Sequence, residues 1–486
     1  MKKLLKEICD CDYDTEITGI KINSKDVVKG DLFVCVKGVT ADRHEYVMDA
    51  VKNGASAIVA SRKIDVSVPV VYVSDTNKEL AKICSAFYNH PEEKLKIYSV
   101  TGTDGKTSTT TILQALLGNN ECGYLGTNGR SCAKFSKETN NTTADSDKLY
   151  EYFYDFLEAG CKEVSMESSS EAFYRGRLDN IKYDIGAITN ITREHLNIHK
   201  TFENYIDCKC QQFRQIKKDG YAILNKDDEF YETVLKEVAC KNIYTYGKDS
   251  DNTLQIVSYK VYPNKTLIKY KYNNKIYDID SPLLGEFNVY NLACALLMAI
   301  AAGKKIEDVI KNLKNIYISG RLEMLPNMGQ DFYVMVDYAH TPNGISNLLN
   351  FVHTLDINRS IVVIGSAGER DFLKRPVMGK TVIDNASYAI FTYEDPRSED
   401  PLNIINMMVS EIEDKSRYEI VVDREEAIKR AIYLANKNDM VLILGKGNET
   451  YEKLKNETIY FNDIEKAKKY IKERVKKDNK NKVGVK

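Results

Sequence analysis

The chain lacks a net charge of either sign: 69 Lys and Arg face 70 Asp and Glu, for a formal charge of −1. That balance gives no global electrostatic pull toward nucleic acid or an acidic membrane surface. Long apolar runs are missing too. The longest, Leu292 to Ala302, is too short to cross a bilayer, which takes about 20 apolar residues. The opening MKKLLKEICDCDYD is basic without a sustained apolar core, so no signal peptide is expected. Eleven cysteines include no CxxC pair, and the close pairs Cys9/Cys11 and Cys208/Cys210 do not have zinc-site spacing. An odd count without a framework reads as reduced thiols in a cytoplasmic protein. Internal repeats and low-complexity segments are also lacking. What is there is 43% hydrophobic and 29% charged residues. At 486 residues, that is the make-up of a globular protein of about three domains.

The first 95 residues carry short β-branched runs, DLFVCVKG (31–38), ASAIVAS (55–61) and PVVYVSD (69–75), with helical patterns between them. A sharper series follows. KIYSV (96–100) leads through a Gly-rich turn into the helical pattern STTTILQALLG. CKEVSME (161–167), YDIGAITN (183–190) and YAILN (221–225) are further strands. Such alternation predicts an α/β fold with parallel sheets covered by helices. LQIVSYKVY and TLIKYKY read as antiparallel hairpin strands, and NVYNLACALLMAIAAG as a buried helix. Past Gly320 come the strands FYVMVDYA, SIVVIGSAG, YAIFTY and MVLILGKG. Boundaries near 95 and 317 divide the chain into 1–95, 96–317 and 318–486. The closing run ERVKKDNKNKVGVK is expected to fray.

Three constellations carry chemistry. Thr101-Gly102-Thr103-Asp104-Gly105-Lys106-Thr107-Ser108 stands between a strand and a helix, the context of a phosphate loop. Its backbone N–H groups would cradle an anion, Lys106 would reach the terminal phosphates, and the Thr107 hydroxyl would meet Mg²⁺. The strict GxxxxGK[ST] pattern fails, because Val100 occupies the first Gly position; an ordinary Gly turn is the competing reading. Downstream, Glu167 ends a strand, His195 and His199 stand one helical turn apart, and Lys209 follows in NYIDCKCQQF. Spacing alone leaves open a zinc pair or a surface His pair on a polar turn. In the third segment Asp337-Tyr338-Ala339-His340, Gly365 to Asp371, Glu394-Asp395-Pro396-Arg397 and Gly445 to Glu449 each follow a strand. That edge of an open α/β sheet is where ligands bind, and the Arg and Lys content points to anionic groups.

The ordered motifs from Gly19 to Phe461 resemble the Mur ligase family, in particular its UDP-N-acetylmuramoyl-tripeptide synthetases. GIKINSKDVVKGDLFVCVKG is similar to the uridine-nucleotide domain, and TGTDGKTS to the family's shortened ATP loop. NTTADSDKL, SMESSSEAFYRGRL, AITNITREHLNIH and ENYIDCKCQQF are similar to the central metal and substrate segments, and LLGEFNVYNLACAL and SGRLE to the lead into the last domain. The implied architecture is a central P-loop ATPase domain with a parallel sheet, flanked by a small N-terminal α/β domain and a C-terminal Rossmann-like domain.

The resemblance implies ATP- and Mg²⁺-dependent amide ligation to UDP-MurNAc-L-Ala-D-Glu through an acyl phosphate, by a cytoplasmic monomer without nucleic-acid or membrane partners. By motif match, Gly102, Thr103, Asp104, Gly105, Lys106, Thr107, Ser108, Asn288, Asn291, Arg321 and Asp337 serve the nucleotide. Thr107, Glu167, His195 and a carbamylated Lys209 serve the metal, with Lys106, His195 and Lys209 as the catalytic set. Ser24, Thr142, Thr143, Ser169, Arg175 and Arg177 match the UDP-sugar peptide site. Arg370, Asp395, Arg397, Gly445 and Glu449 match the pocket of the added amino acid. Several residues depart from the family pattern. Asp104 and Asp395 replace Asn, Glu171 and Asn448 replace His, and Asn23-Ser24-Lys25 replaces Asp-Ser-Arg, so the chain reads as a diverged member. Arg397 favours meso-diaminopimelate over L-lysine, while Asp395 introduces an acidic neighbour that could neutralise it. A folylpoly-γ-glutamate synthase and a weakly catalytic, regulatory paralogue are the rival readings.

Overall fold

The computed structural model describes residues 1–483 except positions 39, 40, 140, 195, 314, 315, 317, 319 and 371. They form two compact units. One comprises Met1–Val257, Tyr270–Tyr277 and Val289–Asn312, the other Ser258–Lys269, Asp278–Asn288 and Leu313–Lys486.

The first unit opens with a four-stranded parallel sheet of β1 (Gly19–Lys21), β2 (Asp31–Val34), β3 (Ala57–Ala60) and β4 (Val70–Tyr72), in that order. Alternation decides its two faces. Leu32 and Val34 join a core shared with helix α1 (Thr76–Phe87), while Phe33 and Cys35 pack in a separate cluster with Val47 and Ala50.

The larger sheet contains β5 (Lys96–Thr101), β6 (Cys122–Gly126), β7 (Gly129–Cys132), β8 (Phe135–Lys137), β9 (Glu163–Glu167), β10 (Tyr183–Ile188), β11 (Ile216–Asn225) and β12 (Asn242–Gly247). Its order is β8-β7-β6-β9-β5-β10-β11-β12. The β6–β7 and β7–β8 pairs are antiparallel and the remaining pairs parallel. The order continues into the meander β13 (Leu254–Tyr262), β14 (Lys265–Tyr272) and β15 (Lys275–Ser281), whose residues are divided between the units. Helices α2 (Lys106–Leu117), α3 (Ser146–Glu158), α4 (Ser170–Tyr174) and α5 (Phe202–Arg214) connect the strands. Register places Glu167 opposite Val100, and Thr101 opposite Ile188. The ends of β9, β5 and β10 are therefore level, and the loops that follow them meet at one edge. The apolar helix expected near 290 is α6 (Glu286–Ala301), buried throughout 291–299.

The second unit holds β16 (Glu323–Met324), β17 (Tyr333–Asp337), β18 (Ser360–Ile364), β19 (Tyr388–Phe391), β20 (Tyr418–Ile420) and β21 (Met440–Leu444). The order is β16-β17-β21-β18-β19-β20, parallel except for β16. Period-2 packing covers both faces, as a parallel sheet requires. Met335, Val362, Leu442 and Leu444 meet α7 (Pro342–His353) and α8 (Lys374–Asn385). Val334, Val336, Val441 and Ile443 meet α9 (Arg424–Leu434) and α10 (Asp463–Val483). The tail departs from expectation. As far as Val483 its charged run continues α10, whose preceding residues Ile464, Ala467, Tyr470 and Ile471 lay an apolar stripe on the sheet; positions 484–486 lie outside the described residues. No helix among the described residues is long and apolar enough to cross a membrane.

Candidate active site

Two glycines shape the turn between β5 and α2. Gly102 has φ 146° and Gly105 φ 82°; a Cβ would overlap Thr189 Oγ1 at the first and Asn291 Oδ1 at the second. The end of β10 holds the loop. Asp104 N–H donates to Asn190 Oδ1 (3.0 Å), Thr103 N–H to the Asn190 carbonyl (2.9 Å), and Thr189 Oγ1 to the Asp104 carbonyl (2.5 Å). Lys106 Nζ folds back onto the carbonyls of Gly102 (2.9 Å) and Thr103 (2.8 Å). Thr107 and Ser108 lie in the first turn of α2, the end of a helix at which backbone N–H groups lack intrahelical acceptors.

Thr107 Oγ1 donates to Glu167 Oε2 at 2.9 Å. The buried Glu167 carboxylate also accepts from Tyr124 OH (2.9 Å), Thr127 N–H (2.9 Å) and Thr127 Oγ1 (3.1 Å). Thr107 and Glu167 offer the hard oxygens that Mg²⁺ prefers, and Mg²⁺ commonly takes one or two protein oxygens with phosphate and water completing its shell. The residues present fit that ion. Among the described residues, the one group of three His, Cys, Asp or Glu with converging ligand atoms is elsewhere, at His90, Glu92 and Glu93.

Lys209 is buried, with Nζ 4.6 Å from the centre of the Tyr205 ring. Burial, with Lys106 nearby, holds its ammonium well below the usual lysine range, against the opposing charges of Asp104 and Glu194. His195 lies outside the described residues. His199 is no surface residue: it is fully buried between the Tyr174 and Tyr205 rings, 5.3 Å from each, with Nε2 3.1 Å from Ser170 Oγ. Aromatic packing therefore overrides the polar-turn reading for this histidine.

The proposed sugar-peptide residues divide. Thr142 meets Thr127 (Oγ1–Oγ1 3.0 Å), and Thr143 Oγ1 donates to the Glu167 carbonyl (2.9 Å) and accepts from Ser169 N–H (3.0 Å). Arg177 donates to the Thr143 carbonyl (3.1 Å) and pairs with Asp145 (2.5 Å). These residues gather beside Glu167. Ser169 Oγ caps α4 by accepting from Ala172 N–H, and Arg175 pairs with Glu171. Ser24 is buried in the turn after β1, where its carbonyl accepts from Asn53 Nδ2 at 2.9 Å.

In the second unit, Asn288 Nδ2 donates to the Leu284 carbonyl at 2.9 Å. The Asp337 carboxylate accepts from Leu322 N–H and Ala339 N–H, both at 2.8 Å, and burial raises its pKa. Arg321 lies over the Tyr338 ring at 4.9 Å. At the ends of β19 and β21, Lys446 Nζ donates to Asp395 Oδ1 (2.8 Å) and Glu449 Oε2 (3.0 Å). Asp395 is thus neutralised by Lys446 and does not neutralise Arg397. Arg370 is exposed, and a Cβ on Gly445 would meet the buried Glu394 carboxylate. Glu394 is pushed up to about 7 by burial, partly opposed by Arg424 and Lys446. The motif reading placed Lys446 in the run Gly445 to Glu449 but gave it no role of its own, because a Lys between two glycines looks like a surface turn and nothing local says that it is buried.

Family models for the Mur ligase catalytic, middle and glutamate ligase domains match residues 16–95, 100–299 and 320–447. The chain belongs to the Mur ligase family. It is an ATP-dependent, amide-forming ligase. This Mur ligase is 38% identical over 467 residues to the UDP-N-acetylmuramoyl-L-alanyl-D-glutamate–2,6-diaminopimelate ligase of Bacillus licheniformis, covering 94% of this chain and 95% of the relative. It is 32% identical to the Clostridium perfringens enzyme of that name, covering 96% and 98%. A solved structure of an enzyme so named aligns with a TM-score of 0.71 at 27% identity, covering 98% of this chain and 99% of its own. A folylpolyglutamate synthase of Mycobacterium tuberculosis, at 16% identity and TM-score 0.58, covers 75% of this chain and 92% of its own and shares the fold alone.

Proposed function

We propose that this Mur ligase joins meso-diaminopimelate to UDP-MurNAc-L-Ala-D-Glu for peptidoglycan precursor synthesis. The D-Glu carboxylate takes the γ-phosphoryl group of ATP, releasing ADP; the amine of the incoming amino acid then attacks, and phosphate leaves with formation of the amide. A carboxylate is a poor electrophile until one oxygen becomes such a leaving group. Residues 1–95 would hold the uridine nucleotide, 96–317 the ATP, and 318–486 the amino acid. Lys106 would turn from its own loop carbonyls to the terminal phosphates, and the amino end of α2 would cradle them. Thr107 and Glu167, with His195 and Lys209 as its carbamate, would hold Mg²⁺, which when bound neutralises phosphate charge during transfer. Gly102, Thr103, Asp104, Gly105 and Ser108 line the phosphate site in this reading, with Asn288, Asn291, Arg321 and Asp337 around the rest of the nucleotide. Thr142, Thr143 and Arg177 would meet the sugar peptide, joined by Ser24, Ser169 and Arg175. Arg370, Arg397, Gly445 and Glu449 would surround the added amino acid, with Asp395 behind them on Lys446. Soluble nucleotide-linked substrates suit a cytoplasmic monomer.

The choice of diaminopimelate rests on Arg397. The Glu369 carboxylate feels its charge, but among the described residues no carboxylate comes within ion-pair distance of it, and its Nε is buried with no hydrogen-bond partner. A distal substrate carboxylate would fill that need; L-lysine has none. Such a charge-assisted contact is worth about 1.5–3 kcal/mol, so Arg397→Ala should weaken diaminopimelate use by roughly 10- to 150-fold. Phosphate release by the purified protein, with ATP, UDP-MurNAc-L-Ala-D-Glu and a panel of amino acids in competition, tests both points. A preference for L-lysine unchanged by Arg397→Ala would refute the assignment.

A further inference from the structure

We propose that Lys446 and Asp395 form a positioning pair for the incoming amino acid, with Asp395 anchoring the turn that carries Arg397 instead of contacting the substrate. The inference rests on the ligation proposed above and deepens its amino-acid site. The Lys446 side chain is wholly buried just beyond β21, where its ammonium donates to both Asp395 and Glu449. Asp395 Oδ1 accepts a second bond from Lys453 N–H at 3.2 Å, and the Asp395 carbonyl accepts from Gly368 N–H at 2.8 Å. Two residues on, Arg397 N–H donates to the Lys453 carbonyl at 2.9 Å. Arg397 has φ 54°, a left-handed conformation uncommon for a residue with a side chain. Its backbone is thus fixed at its own N–H and, through Asp395, two residues before it. The other oxygen of Glu449 accepts from Tyr338 OH (3.5 Å) and Tyr451 OH (3.4 Å). One buried cation therefore joins the loops that follow β17, β19 and β21, and Oδ1 of its partner Asp395 is taken by two protein donors.

The same two bonds to Oδ1 could be accepted by an Asn amide oxygen, but not by Ala. The test measures KM separately for diaminopimelate, ATP and the UDP-linked substrate. Thermal unfolding of each variant checks folding. Asp395→Asn should leave the diaminopimelate KM within about 3-fold of wild type, whereas Asp395→Ala and Lys446→Met should raise it about 10-fold or more. The other two KM values should stay within about 2-fold throughout. If Lys446→Met does not fold, the two Asp395 variants decide. A KM in Asp395→Asn as high as in Asp395→Ala would show that the carboxylate charge meets the substrate, and would overturn the pair. A rise shared by all three KM values would overturn it as well. Absence of wild-type turnover with diaminopimelate would overturn the ligation and the pair together.

Discussion

Lys209 is buried beside Lys106, so its amine favours the neutral form. A neutral amine is the form that adds carbon dioxide, and the resulting carbamate would exchange a repelled cation for an anionic oxygen ligand. Lys209→Ala should therefore lose at least about 100-fold in turnover, the scale of removing one stabiliser of transition-state charge. A short-chain carboxylic acid added to the assay should restore part of it. Full activity of Lys209→Ala, or an inactive variant indifferent to every added carboxylate, would remove the carbamate from the mechanism. Cys208 and Cys210, on either side, are buried and held as thiols by burial, each pushed up to about 11, which suits packing and not metal binding.

Two helices of the second unit begin on one buried ion pair. Arg424 at the start of α9 and Asp463 at the start of α10 are both fully buried and joined by two bonds of 2.9 and 2.7 Å. Arg424 also donates to the Leu444 carbonyl at 3.0 Å, immediately before Gly445 and Lys446. A cation at a helix amino end opposes the helix dipole, so this arginine depends on its carboxylate. Asp463→Ala should cost about 3–5 kcal/mol, because it leaves a buried guanidinium without its counter-charge. Arg424→Met with Asp463→Leu should recover most of that loss. Urea unfolding monitored by circular dichroism decides it; a single variant within about 1 kcal/mol of wild type would contradict the argument.

Across the whole molecule the charge nearly cancels, yet the second unit stores two carboxyls that resist ionisation. Glu394 and Glu452 are both pushed up to about 7, chiefly by burial. Each therefore keeps its proton in the folded protein at pH values where the unfolded chain, near 4.5, has lost it. Their contribution to stability falls as pH rises from about 4.5 to about 7 and is flat above. The Glu394→Gln, Glu452→Gln double variant should match wild type in thermal unfolding at pH 5 and exceed it at pH 8. The gain per site is on the order of 3 kcal/mol at most. Equal pH slopes for the two proteins would show that these carboxyls are ionised in the fold.

Much of this was legible in the chain. The alternation of β-branched runs with 3.6-period helices determined the parallel sheets, and Gly102 and Gly105 marked the tight turn between a strand and a helix that is proposed to hold phosphate, because backbone periodicity and the steric freedom of glycine are local properties. Glu167 at a strand end was legible for the same reason. Tertiary structure decided the rest. It buried His199 between two tyrosines, laid the charged tail down to Val483 as the outer part of α10, and assigned Asp395 to Lys446 and not to Arg397. Each depends on which distant segment arrives beside a residue. Charge and polarity in a one-dimensional string do not say whether a group will face water or a partner fifty positions away.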